Sequence, residues 1–170
     1  MKRYSLFNIQ HSRHGFTLIE LSLFMGLFSI VLLVLTTVFG ELIQKQLEIQ
    51  STSAVESDKS YILSRLEYDI GRSDSLTIPA TLGESSTELE LRIDGNPYIY
   101  RLDGIVLEID NNGEILRLNN VRTAISDLSF QSIGNIGGIP TINTQMTITS
   151  LAEEASKIRQ ATIDTTFGLR

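Results

Sequence analysis

Arg13-His14-Gly15-Phe16-Thr17-Leu18-Ile19-Glu20 leads into an apolar run, Leu21 to Gly40, that holds twenty residues and no charge. At a rise of about 1.5 Å per residue, a helix of that length spans about 30 Å, the hydrocarbon thickness of a bilayer. Leucine, isoleucine, valine and phenylalanine fall on every side of such a helix, so it has no polar face to turn to water. Upstream, Lys2, Arg3 and Arg13 stand without an acid and give the first fifteen residues a charge of +3. The 170-residue chain carries −6 in total, which leaves −9 for everything after Gly15. The mean hydropathy of +0.07 therefore averages one membrane-length helix with an ordinary polar domain.

Three N-terminal organisations compete. A secretory signal peptide has a shorter apolar core and a small-residue cleavage site behind it. Here the run is longer, and Thr37-Val38-Phe39-Gly40-Glu41 is a poor site of that kind. A plain signal anchor fits the basic flank, which holds the N-terminus in the cytoplasm. It leaves Gly15 and Glu20 unexplained. An acid in an apolar segment costs about 2.5–3.5 kcal/mol at the bilayer centre and less near the interface, so it calls for a function and a partner.

Arg13 to Glu20, followed by the apolar helix, resembles the N-terminal signature of type IV prepilins and type II secretion pseudopilins. The resemblance covers residues 10–40. It implies that a membrane prepilin peptidase cuts after Gly15 and methylates the new amino group of Phe16. It also implies that Glu20 acts in assembly, by pairing with the Phe16 amine of its own or a neighbouring subunit. Implied partners are that peptidase/methyltransferase, other pilins or pseudopilins, an inner-membrane assembly platform and membrane lipid. The implied location is the bacterial inner membrane, with a cytoplasmic N-terminus and an extracytoplasmic soluble domain, and then a pilus or pseudopilus. Physical reasons support these residue types. Gly15 has no side chain and can be presented closely to a protease, and a cut there leaves the anchor on the mature chain. Major pilins often carry a proline in this helix; none lies between Phe16 and Gly40, which leans toward a minor pilin or pseudopilin.

The helix is expected to continue past the membrane. Val55, Ile62, Leu66 and Ile70 recur at helical spacing and predict a stripe that packs against the rest of the chain, with Gly71 as the stop. Ser51-Thr52-Ser53 is expected to loosen the helix locally. After the helix the period becomes two. Leu89, Leu91 and Ile93 alternate with charged residues, and Asp94-Gly95, Asp103-Gly104 and Asn112-Gly113 punctuate the chain every nine residues. They predict a four-strand antiparallel meander over Glu88–Ile93, Tyr98–Leu102, Ile105–Ile109 and Ile115–Leu118. Further strands are expected at Asp127–Ile133, Thr141–Ser150 and Ala161–Leu169. The fold class is α+β: a long N-terminal transmembrane helix packed on an antiparallel sheet, as in the pilin-like fold. The organisation expected is leader 1–15, filament-core helix 16–40, helix continuation 41–72 and β-rich domain 73–170. The strand pattern of residues 115–170 is loosely similar to J-type minor pseudopilins and W-type minor pilins.

Chemistry beyond processing has few candidates. The chain has no Cys, and its two histidines, His11 and His14, lie in the leader. The mature chain therefore cannot build a Ser-His-Asp or Cys-His site, and no enzyme activity or cofactor is expected. Asp110, Asn112 and Glu114 offer oxygen ligands around a glycine, a weak candidate for calcium; a plain hairpin turn explains them without metal and is the preferred reading. Glu88 and Glu90 fall on one face of an alternating strand, and Glu153-Glu154 in a polar link. The alternative to an assembly subunit is a binding module displayed on a pilus, such as a DNA-capturing competence subunit. DNA needs a basic footprint. A mature charge of −9 does not favour nucleic acid, and the only local patch to weigh is Arg92, Arg101, Arg117 and Arg122.

Overall fold

The computed structural model of the chain describes residues 15–135, 137–152 and 159–169. The expected leader up to His14 and the Glu153-Glu154 link lie outside the described residues. Contacts divide the chain into two units, Met1–Leu42 and Ile43–Arg170, and helix α1, Leu18–Gly71, contributes to both.

In the first unit, α1 exposes its apolar side chains on all sides, and the 18-residue window that is apolar enough to cross a membrane has none of its residues buried. Its hydroxyls are satisfied internally. Ser22 donates to the Ile19 carbonyl, Ser29 to Met25 and Thr36 to Leu32, at 2.8–2.9 Å. A hydroxyl that bonds its own helix costs little in lipid, where no water is present to satisfy it.

In the second unit, α1 buries one stripe: Ser51, Val55, Asp58, Ile62, Leu66, Asp69 and Ile70. The four apolar positions expected on that stripe are there, and Gly71 ends the helix as expected. The expected loosening at Ser51-Thr52-Ser53 does not occur. Ser51 and Thr52 donate to the Glu48 carbonyl at 3.0 and 2.9 Å, so the hydroxyls reinforce the turn they were expected to weaken.

Among the described residues, nine strands come after the helix: β1 Ser75–Ile78, β2 Ser85–Ser86, β3 Leu89–Ile93, β4 Asn96–Asp103, β5 Val106–Asn111, β6 Glu114–Arg117, β7 Thr123–Ile133, β8 Thr141–Ser150 and β9 Gln160–Gly168. The class is α+β, and the strands divide into two antiparallel sheets, ordered β1-β3-β4-β5-β6 and β2-β7-β8-β9. The meander is β3 to β6. At Asp94-Gly95 and Asn112-Gly113 both residues are left-handed, with φ of 52°, 79°, 53° and 94°, as a type I′ hairpin turn requires. The middle turn is displaced by one residue. Asp103 pairs with Val106, so the loop is Gly104-Ile105, with only Gly104 left-handed at 61°. Ile105, expected to open a strand, is instead an exposed turn residue.

The core joins the α1 stripe to the inner faces of both sheets, including Leu89, Leu91, Tyr100, Leu107 and Ile109 from the meander and Ile125, Phe130, Ile142, Met146 and Ile148 from the second sheet. Strand β7 starts four residues before the expected Asp127. Its register with β8 slips by one between Ser126 and Ser129, and Asp127 there is left-handed at 54°. The bulge lets Ile125 and Leu128 both face inward, which breaks a strict period of two. Strand β9 keeps the expected alternation, with Ile163 buried and Ala161, Thr165 and Phe167 half-buried on its inner face.

The first buried residue of α1 is Ser51. A chain lacking residues 1–40 is therefore expected to stay soluble and give a β-rich circular dichroism spectrum with a cooperative melt. A broad, non-cooperative melt would move the boundary of the folding unit upstream.

Candidate functional site

The site begins at the N-terminal end of α1. Gly15 precedes α1, and a Cβ added to it would have no atom within 4 Å, so nothing in the fold requires glycine there. Phe16 is 83% exposed. Thr17 caps the helix. Its carbonyl accepts the Leu21 N–H at 3.1 Å, and its hydroxyl accepts the Glu20 N–H at 3.3 Å. Thr17-Leu18-Ile19-Glu20 has the S/T-x-x-E spacing of a capping box, a local signal that the surrounding apolar pattern conceals. It fixes where the helix starts and sets Glu20 in the first turn, where the helix dipole favours an acid. Glu20 is exposed, and among the described residues its carboxylate forms no ion pair. Leu18, Ile19, Leu21, Leu23 and Phe24 around it are each more than half exposed. A contiguous apolar surface of this extent marks contact with lipid or with another protein.

These residues fall within the prokaryotic N-terminal methylation motif, whose family profile matches residues 10–36. The chain carries this methylation motif at its N-terminus. A type IV pilin or pseudopilin is what this motif supports, with processing by prepilin peptidase and assembly with other pilins. The apolar helix and the motif together fit anchoring in the inner membrane. No curated protein and no solved structure matches the chain.

The other candidate residues of the chain are used differently. Asp110 lies on β5, where its Oδ1 accepts the Gly113 N–H at 2.8 Å and its Oδ2 stands 3.9 Å from Arg101 Nη1. Asn112 is the left-handed turn residue, and Glu114 is exposed at the start of β6. Among the described residues, no three His, Cys, Asp or Glu side chains are grouped closely enough to hold a metal ion. Arg92, Arg101 and Arg117 share the outward face of the meander, with Arg92 opposite Pro97, four positions along β4 from Arg101. They are interleaved there with Glu90, Glu108 and Asp110, Glu108 pairing with Arg101 on one side and Arg117 on the other. Arg117 is also spent on the chain itself, donating to the Asn119 and Asn120 carbonyls at 2.7 and 2.9 Å. Arg122 sits apart, in the loop before β7. Glu88 is exposed just before β3.

Two buried acids in the second unit escaped the sequence pattern. Asp58, 8% exposed, accepts the Asn120 N–H at 2.8 Å and the Thr123 hydroxyl. Asn119 beside it accepts the Leu107 N–H and donates to the Thr123 carbonyl, both at 2.9 Å. This network ties α1 to the crossing from one sheet to the other. Asp69, fully buried, accepts from Arg65 Nε at 2.7 Å and from the Tyr100 hydroxyl. Burial, together with that bond, pushes the Tyr100 hydroxyl above the ordinary tyrosine range and keeps it protonated as a donor. Burial acts to lower Arg65, and its bond and charge pairing with Asp69 outweigh that and raise it. A period-3.6 search for apolar residues skips both acids, yet their spacing places them on the stripe.

Proposed function

We propose that the chain is a minor pilin or pseudopilin subunit. It is cut between Gly15 and Phe16, methylated on the Phe16 amine, held in the inner membrane by residues 16–40, and assembled to prime or cap a pilus or secretion pseudopilus. Residues 41–72 continue the helix to the soluble domain, 73–170. The basic leader orients the chain with its N-terminus in the cytoplasm and its domain outside. The observation that carries this reading is Glu20, the one charge on an otherwise apolar and exposed helix surface from Leu18 to Gly40. In lipid or in a packed filament core, such a carboxylate is stable only beside a cation, and the cut that frees the Phe16 amine creates one. A neighbouring subunit's amine fits the role best, because satisfying the charge then also fixes axial register.

The test is Glu20→Ala. Membrane insertion is expected to be unchanged, while recovery in sheared filaments falls at least about tenfold, the equivalent of about 1.4 kcal/mol. Recovery at the wild-type level would remove the pairing role. The absence of proline from the apolar helix supports the minor or pseudopilin assignment over a major pilin.

A further inference from the structure

We propose that the open edge of β9, with the groove beside it, is a strand-acceptor site. It takes an extended segment of another polypeptide, added antiparallel to β9, with an acidic side chain that meets Arg72.

β9 is the last strand of its sheet and pairs with β8 over nine residues without a register shift. Ser150 N–H donates to the Arg159 carbonyl and Leu169 N–H to Pro140, which fixes the phase of the ladder. Ala161, Ile163, Thr165 and Phe167 therefore bond β8. The N–H and C=O groups of Thr162, Asp164, Thr166 and Gly168 point the other way, and among the described residues none of them has a partner. Natural proteins guard such edges with short strands, lysine, proline or bulges. The other edges obey this rule: β1 has four residues and an irregular register, β6 has four, and β2 has two. β9 has no lysine, proline or bulge. Its one charge does not guard it, because the Asp164 carboxylate is drawn back across the sheet by Asn143 Nδ2 at 2.9 Å and Gln145 Nε2 at 3.3 Å.

The chemistry of the edge names the occupant. Alternating donors and acceptors at strand spacing are matched by another strand, with side chains on alternate sides. A cavity of about 440 Å³ adjoins the Gly168 end, between Glu67, Tyr68 and Arg72 at the end of α1 and Thr166, Phe167 and Gly168 of β9. Arg72 is held there by bonds to the Tyr68 and Tyr98 hydroxyls at 3.1 and 3.2 Å, with its guanidinium over both rings. Its Nε is 3.7 Å from Asp69, and the side chain is 38% exposed, so donors remain for an incoming carboxylate. An antiparallel segment begins at Gly168, so its acid belongs at its N-terminal end.

The test uses the full chain in detergent micelles and does not depend on filament assembly. The probe is a fluorescein-labelled acetyl-Glu-Val-Thr-Val-Thr-Val-Thr-amide peptide. Saturable binding is expected, with half-saturation below about 1 mM. Hydrogen exchange should slow at Thr162, Asp164 and Thr166 and stay unchanged at Ile163 and Thr165. Thr166→Pro deletes an outward donor and leaves the β8 bonds intact, and Thr162→Lys installs a guard without touching the backbone. Each is expected to weaken binding at least about tenfold, and Arg72→Gln to remove the preference for this peptide over its Gln-first analogue. No saturation, binding that survives both edge variants, or protection elsewhere would overturn the site. An unchanged preference in Arg72→Gln would overturn the role of Arg72.

Discussion

Replacing Gly15 by leucine is expected to leave the leader on the protein. Wild-type chain extracted from membranes should have the mass of a polypeptide that begins at Phe16 and carries one added methyl group. The leucine variant should keep the full unprocessed mass, with near-complete loss of cleavage. The size of this effect follows from what Gly15 does and does not do. A Cβ there meets no neighbour within 4 Å, and the backbone is outside the left-handed region, so the variant folds and inserts as before. What changes is access: a branched side chain beside the scissile bond obstructs the close approach of a protease to the extended backbone. Alanine adds one carbon and is expected to be cut in part. A leucine variant of mature mass would show that glycine is not what the peptidase requires. Because the Phe16 amine would not exist in the uncut chain, the same variant should also be depleted from filaments, as Glu20→Ala should be.

The second unit, Ile43–Arg170, is expected to lose about 3 kcal/mol with Asp69→Ala, a fall in melting temperature of about 10 °C for a domain of this size. Asp69 is fully buried, and its two acceptor bonds hold Arg65 and Tyr100. Without it, the Tyr100 hydroxyl is a buried donor with no acceptor, and Arg65 loses its counter-charge. Breaking a buried ion pair costs about 3–5 kcal/mol. The lower end applies because the Arg65 side chain is 30% exposed and can turn to water. Tyr100→Phe in the same chain should recover part of the loss, since removing both partners of a bond costs less than orphaning one. A melt of the domain by circular dichroism decides it: a variant within about 2 °C of wild type would mean that the pair carries no stability. The same site sets an alkaline limit. Burial raises the folded hydroxyl above the ordinary tyrosine value of about 10, so stability held by that proton is complete below pH 10 and is lost as pH rises beyond it.

The contrast between these two sites explains why one is legible in the sequence and the other is not. The roles proposed for Gly15, Phe16 and Glu20 depend on the order in which they stand, so their spacing along the chain is what carries the proposal. Asp69 acts through a residue thirty-one positions away, and Asp58 through residues more than sixty away. Nothing in the local pattern marks either as a core residue, because an acid in a helix is normally a solvated one. Thr17 is the exception, a local signal that stays hidden, since its hydroxyl reads as part of the apolar run until the first-turn N–H groups are counted.

Linear order was enough for the N-terminal signature, the membrane-length helix, its end at Gly71 and the two turns where Asp94-Gly95 and Asn112-Gly113 supply left-handed residues. Each of these follows from forces between near neighbours: helix rise, side-chain volume and backbone sterics. Packing in three dimensions was needed to divide the strands into two sheets, to bulge β7 at Asp127, to place the middle turn at Gly104-Ile105, and to bring two acids into the core. Those outcomes depend on which distant surface each strand or helix face must match. A one-residue change of phase moves a whole run of side chains from water to core, and only the opposing face fixes which phase is lower in free energy.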